Sequence, residues 1–245
     1  MRWATSTPSR RTISSLGCSK NPVPHPRPDN SGENMKSLLK IAALGLSLAL
    51  SICAPSAHAL EAGKEYAVIS PAQPTGVKKG QIEVLEFFWY NCPHCFHLEP
   101  DFNTWTKKQS KQVVVKRVPA MLNENWSALT RVYYALEAIG MADKLHDDVF
   151  NAIHVDGMNM TPPETFFDWA VTKGVDRKRI ADAYNSFAVN TKVMRAQQLT
   201  RDFKLTGVPA IVINGKYVTS AYMTGGQPEL FKTVDALIAQ ELKRK

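Results

Sequence analysis

The chain has 245 residues, 44% of them hydrophobic, with 30 Lys and Arg against 22 Asp and Glu, a formal net charge of +8. Seven of the basic and two of the acidic side chains precede Leu60, so the remainder carries only +3. So mild an excess does not support a nucleic-acid partner, and the 186 residues from Leu60 onward suit one domain, or one domain carrying an insertion.

Residues 1–34 are rich in Pro, Ser and Arg, and their run "NPVPHPRPDN" has no apolar periodicity. Residues 35–59, "MKSLLKIAALGLSLALSICAPSAHA", have a Lys-bearing start, an apolar stretch from Ile41 to Ile52, and small residues at Ala57 and Ala59. That is the layout of a secretory signal peptide, with cleavage expected after Ala59 and export to the periplasm. Met35 then reads as the initiator and 1–34 as an upstream mis-start, with a genuine extension as the rival. The apolar stretch is roughly a dozen residues, short of the ~20 that span a bilayer. Cys53 follows Ile52 where a lipid-modified cysteine wants a small residue, so it goes with the discarded segment.

"QIEVLEFFWY" is a short, β-branched and aromatic run, the pattern of a strand covered on both faces. A helix is expected from Pro93 to about Gln109, with a kink at Pro100, followed by a second strand in "KQVVVKRVPA". Strand–helix–strand favours a parallel pair with a crossover. From Asn123 to about Lys204 the signals are helical. "WSALTRVYYALEAIG" stops at Gly140; "TPPETFFDWAVTKG" starts at Thr161 with Pro162 as its first helical residue; "DRKRIADAYNSF" and "TKVMRAQQLTRDF" follow. "VPAIVINGKYV" returns to strands about an Asn214-Gly215 turn, and "PELFKTVDALIAQEL" is a closing amphipathic helix. Neither end has enough strands for a sheet alone, so the two ends share one, and the helices are an insertion. The expected division is 60–122 and 196–245 for the sheet-bearing domain and 123–195 for the insertion.

Cys18 and Cys53 leave with the first 59 residues, and Cys92 and Cys95 remain in "FFWYNCPHCFHLEP". One close pair does not make a disulfide scaffold, and its tiny loop adds little stability. Zinc wants four ligands, and there is no second Cys pair; His97, His146 and His154 could join only through tertiary placement, so no metal and no cofactor is expected. A redox pair uses more of the motif. Pro93 suits the first helical position, which makes Cys92 the N-cap facing the free N–H groups of His94 and Cys95. Those donors, the helix dipole and His94 favour a Cys92 thiolate. A stabilised thiolate makes the disulfide oxidising and Cys92 a good leaving group. Cys95, facing inward, is the resolving thiol.

Glu86 shares a strand face with Ile82, Val84 and Phe88, so a carboxylate stands among apolar side chains. Lys116 is its expected partner, either as a proton shuttle for Cys95 or as a structural ion pair. Trp89, Tyr90 and Phe96 flank the site and belong mostly to the core.

These residues resemble the DsbA family of periplasmic thiol:disulfide oxidoreductases. The likeness rests on "VLEFFWYNCPHC", the helical insertion and "GVPAIVINGKYV", and it spans essentially Leu60–Lys245. It implies an α/β thioredoxin fold with an inserted all-helical domain, and a strongly acidic cysteine in an oxidising couple. It implies a cis Val208-Pro209 peptide facing the disulfide, with Val208 offering its backbone to a bound peptide. Glu86 and, more loosely, Lys116 match the family's charged pair. The implied partners are newly exported proteins with free cysteines and a DsbB-like, quinone-linked membrane reoxidant. The expected function is a monomeric dithiol oxidase forming a mixed disulfide on Cys92. A reductase or isomerase, or a chaperone or metal carrier on the same scaffold, are the alternatives.

Overall fold

A computed structural model describes residues 60–244. The expectations for 1–34, for the signal segment 35–59 and its cleavage site, and for Cys18 and Cys53 lie outside the described residues.

Strand β1 (Ala67–Val68) is followed by β2 (Ile82–Phe88), helix α1 (Pro93–Lys107) and β3 (Val113–Pro119). After the helical region come β4 (Ala210–Ile213) and β5 (Tyr217–Thr219). The five strands form one sheet in the order β1-β5-β4-β2-β3, with β2 and β3 parallel and β4 antiparallel to β2. Strands from the two ends of the described chain therefore share a sheet.

All seven residues of β2 are buried, because both sheet faces are covered. Ile82 and Val84 pack with Leu98 and Phe102 of α1 and with Leu230 and Val234 of α8 (Gln227–Lys243). Leu85 and Phe87 face the other way, into the cluster shared with the helical region. Each fully buried Phe contributes about 2–3 kcal/mol. A chain with that much apolar surface on one strand can hold the charge-bearing Glu86 there only with partners.

The helical region holds a 3₁₀ turn (Glu124–Trp126), then α2 (Ser127–Ala138), α3 (Ala142–His154), α4 (Pro163–Thr172), α5 (Arg177–Tyr184) and α6 (Phe187–Asp202). Helix α3 has no counterpart among the helices read from the sequence. Its N-cap, Met141, makes no side-chain cap, so the usual start signal is missing. Helix α4 begins one residue later than expected: Asn159 Oδ1 takes the Thr161 N–H at 3.0 Å, and Pro162 becomes the cap. Helix α6 begins at Phe187 because Ser186 accepts from the Val189 N–H. It runs on through Asp202, so a division at 195/196 falls inside a helix. Helix α1 contains Pro100 and continues past it to Lys107.

In the β4–β5 turn Asn214 and Gly215 both take left-handed backbone, with φ of 51° and 67°, and the Lys216 N–H closes onto the Ile213 carbonyl at 3.0 Å. A Cβ on Gly215 would lie 2.1 Å from the Gln73 carbonyl oxygen, so no side chain fits there. The short helix α7 (Ala221–Thr224), capped by Ser220, leads into α8.

Candidate active site

Cys92 caps α1 from extended backbone, and Pro93 follows in the first turn. The Cys95 N–H points at the Cys92 sulfur at 3.4 Å, and the Phe96 N–H bonds the Cys92 carbonyl at 3.1 Å. Both thiols are free and buried. The Cys92 thiol is brought down to about 6. The Cys95 thiol beside it contributes most, burial works against the shift, and the backbone N–H groups of Cys95 and His94 and the His94 charge add to it. Cys95, with no exposed surface, is pushed far up, first by burial, then by the neighbouring Cys92 sulfur, with the Glu86 charge adding to it. One thiol is thus made acidic and its neighbour the opposite. His94 and Pro93 are exposed.

Val208-Pro209 is cis, as is Ser70-Pro71. The Cys92 thiol donates to the Val208 carbonyl at 3.5 Å. Beside this contact opens a groove of about 840 Å³ whose walls include Val68, His94, His97, Leu205, Pro209 and Tyr222. Tyr222 is almost wholly exposed. Trp89 stacks on Trp126 with ring centres 4.1 Å apart, and Phe96 stacks on His154 at 5.0 Å.

Lys116 is not the partner of Glu86. In the parallel β2–β3 register Glu86 stands opposite Arg117 and Leu85 opposite Lys116, so Lys116 emerges on the other sheet face. There it binds Glu83 at 2.7 Å and is largely in solvent. Arg117 takes the inner place: its Nε lies 3.1 Å from Glu86 Oε2, its Nη2 donates to Glu99 at 2.9 Å and to Asn103 at 2.6 Å, and it sits over the Phe102 ring. Burial, then the nearby Glu99, raises the Glu86 carboxyl well above the usual carboxylate range. For Glu99 burial acts upward, but the His146 and Arg117 donors outweigh it and hold this carboxyl below its usual value. His146 bridges Glu99 Oε1 and the Tyr90 hydroxyl, each at 2.9 Å, and burial keeps it from charging. His154 bonds the Tyr90 carbonyl at 2.8 Å.

The structure thus brings Cys92, Pro93, His94, Cys95, Val208 and Pro209 to one end of the sheet, places Glu86 below them, and leaves Lys116 outside. Arg117, Glu99, His146 and Tyr90 were not read from the sequence. Glu99 lies four residues after Cys95, one helical turn on the same face, which was a legible signal. His146 gave none, because it is on the helix without a start signal. Among the described residues no group of three or more His, Cys, Asp or Glu is placed to hold a metal ion.

Residues 83–237 match the model of a DSBA-like thioredoxin domain. The chain belongs to this family. The thiol:disulfide interchange protein DsbA of Burkholderia cepacia is 37% identical over 211 residues, covering 86% of this chain and all of that protein. DsbA of Pseudomonas aeruginosa is 36% identical over 207 residues, 84% of this chain and 97% of that one. Among solved structures, P. aeruginosa DsbA superposes with a TM-score of 0.71 at 37% identity, over 74% of this chain and 94% of that one. The oxidoreductase DsbA of Xylella fastidiosa gives 0.71 at 28% identity, over 75% and 98%. The DsbA-like thioredoxin fold and the enzyme class, a thiol:disulfide oxidoreductase, follow from these likenesses together.

Proposed function

We propose that this chain donates the Cys92–Cys95 disulfide to proteins that reach the periplasm with free cysteines. The observation that carries the reading is the opposed chemistry of the two thiols on one helix turn, Cys92 at about 6 and Cys95 far above the ordinary thiol range. Stabilising the Cys92 thiolate stabilises the reduced dithiol, so the disulfide is a strong electron acceptor.

In the first step a client thiolate attacks the Cys92 sulfur. A client–Cys92 disulfide forms, the Cys92–Cys95 bond breaks, and Cys95 takes up a proton because its thiolate is strongly disfavoured. Glu86 is the nearby acid for that proton, with Arg117 in the place first given to Lys116. In the second step the client's other thiolate attacks the client sulfur of the mixed disulfide and expels Cys92 as a thiolate. The client is oxidised by two electrons and the enzyme is reduced by two. His94 tunes Cys92 and does not take part in either bond change. An extended client segment lies in the apolar groove, pairing its backbone with Val208 beside Pro209.

The same reading takes residues 35–59 as the export signal, cut after Ala59, and residues 1–34 as an upstream mis-start. It takes the working form as a monomer, and the reoxidant as a DsbB-like membrane protein that passes the electrons to quinone. Equilibration of the purified protein against a glutathione buffer tests it. A potential well above that of the glutathione pool is expected; one in the thioredoxin range would make the protein a reductase.

A further inference from the structure

Two carboxyl groups, Glu86 on β2 and Glu99 on α1, meet at one guanidinium, Arg117 on β3, with neither carboxyl in contact with solvent. Two ionised carboxylates sharing one buried cation repel each other in a medium that solvates them poorly, so the pair retains one proton. The hydrogen bonds decide where it sits. Glu99 accepts two charge-assisted bonds, from His146 Nε2 and Arg117 Nη2, both at 2.9 Å. Glu86 accepts none, because Arg117 Nε approaches it at 3.1 Å but out of line. Donors of this kind favour the ionised form. Glu99 is therefore the carboxylate and Glu86 the acid, with Glu99 as the acceptor for its O–H.

The same bonds fix the tautomer of His146. An ionised Glu99 can only accept, so Nε2 carries the hydrogen and Nδ1 accepts from the Tyr90 hydroxyl at 2.9 Å. The other charged or titratable groups around the pair are Tyr133 on α2, Asp147 on α3, Tyr90 after β2, and Cys95 on α1. None of these gives Glu99 a second neutral donor of this kind.

We propose that His146 is a positioning residue for disulfide exchange: its bond to Glu99 assigns the shared proton to Glu86, the carboxyl that acts electrostatically on Cys95. The inference rests on the dithiol-oxidase reading. When a client thiolate breaks the Cys92–Cys95 bond, the Glu86 proton passes to the Cys95 sulfur, leaving a Glu86 carboxylate and a neutral thiol. Without the His146 donor the proton is shared with Glu99, and part of the population meets the attack with an ionised Glu86 and no proton to give. The helical region would then enter the chemistry through one imidazole on α3, without touching client or sulfur.

Carboxyl-carbon NMR of Glu86 and Glu99 in the reduced protein is the direct test. At neutral pH the unaltered protein should show Glu86 at the acid position and Glu99 at the carboxylate position; the reverse overturns the proposal. In His146→Leu the Glu99 signal should move toward the acid and dithiol-peptide oxidation should slow about tenfold, while the Cys92 titration stays in place. His146→Gln, which keeps an N–H for Glu99, should restore both. Slowing in His146→Leu with both carboxyl signals unmoved, or without rescue by His146→Gln, would reduce His146 to a packing role. If His146→Leu does not fold, the unaltered protein and His146→Gln still decide the assignment. If the unaltered protein fails to oxidise the peptide, the oxidase reading falls, whereas the carboxyl assignment is read separately.

Discussion

The Cys92 sulfur lies 3.5 Å from the carbonyl oxygen of Val208, a residue 116 positions further along the chain. The contact exists only while Cys92 carries its hydrogen. Once the thiol ionises, sulfur and oxygen are both acceptors, and the carbonyl is released to bond the N–H of an incoming peptide. Ionisation of the thiol and availability of the docking carbonyl are thus coupled through one atom pair.

The pH at which this happens can be measured by alkylating the reduced protein. The rate for Cys92 should rise with a midpoint at about 6. A midpoint near the free-thiol value of ~8.5 would remove the basis for an oxidising couple. The stability of the reduced form carries the same sign. Because folding lowers the Cys92 value, the native state binds fewer protons, and stability is gained as pH rises from about 6 to the ordinary thiol range. Above that range the raised value of Cys95 acts the other way. The oxidised protein has neither thiol, so its thermal midpoint should lack both trends.

Replacing His94 by Ala should raise the Cys92 value yet leave it below the ordinary range. The imidazole charge is lost, but the N–H groups of residues 94 and 95 and the neighbouring Cys95 thiol remain. The ultraviolet absorbance of the thiolate, followed against pH, gives the result. A return to the free-thiol value would mean that His94 alone makes Cys92 acidic.

Arg117 and Lys116 are adjacent cations with opposite surroundings. Arg117→Leu strands the ionised Glu99 in the core and should cost about 3–5 kcal/mol. Lys116→Ala breaks a partly exposed pair with Glu83 and should cost about 1 kcal/mol or less. Urea unfolding of the two variants compares them directly; equal losses would contradict the assignment of Arg117 to the buried side.

Tyr222 stands at the groove rim with its ring in water. If clients lie in the groove, Tyr222→Ala removes apolar contact made equally before and during the exchange. KM for a dithiol peptide should then rise by roughly tenfold with kcat little changed. An unchanged KM would place the bound peptide elsewhere.

Much of the site was legible because its chemistry is local. Cys92, Pro93, His94 and Cys95 are consecutive, and the backbone rule that puts Pro in the first turn also puts the Cys92 sulfur against the Cys95 N–H. The choice between Lys116 and Arg117 was not local. It turns on a register in which a slip of one residue exchanges the faces. His146 was further out of reach: α3 lacks a capping side chain, and Glu99 and His146 are 47 positions apart.

By itself the sequence determined the elements with strong punctuation, the shared sheet of its two ends, and the helix-capping cysteine whose acidity defines the enzyme class, since short-range hydrogen bonds and hydrophobic period govern all of these. Only the tertiary structure decided which cation meets Glu86, which carboxyl of the buried pair carries the proton, and that the Val208 carbonyl reaches the reactive sulfur. Each of those depends on the distance and direction between groups far apart in the chain, which packing sets and residue order does not.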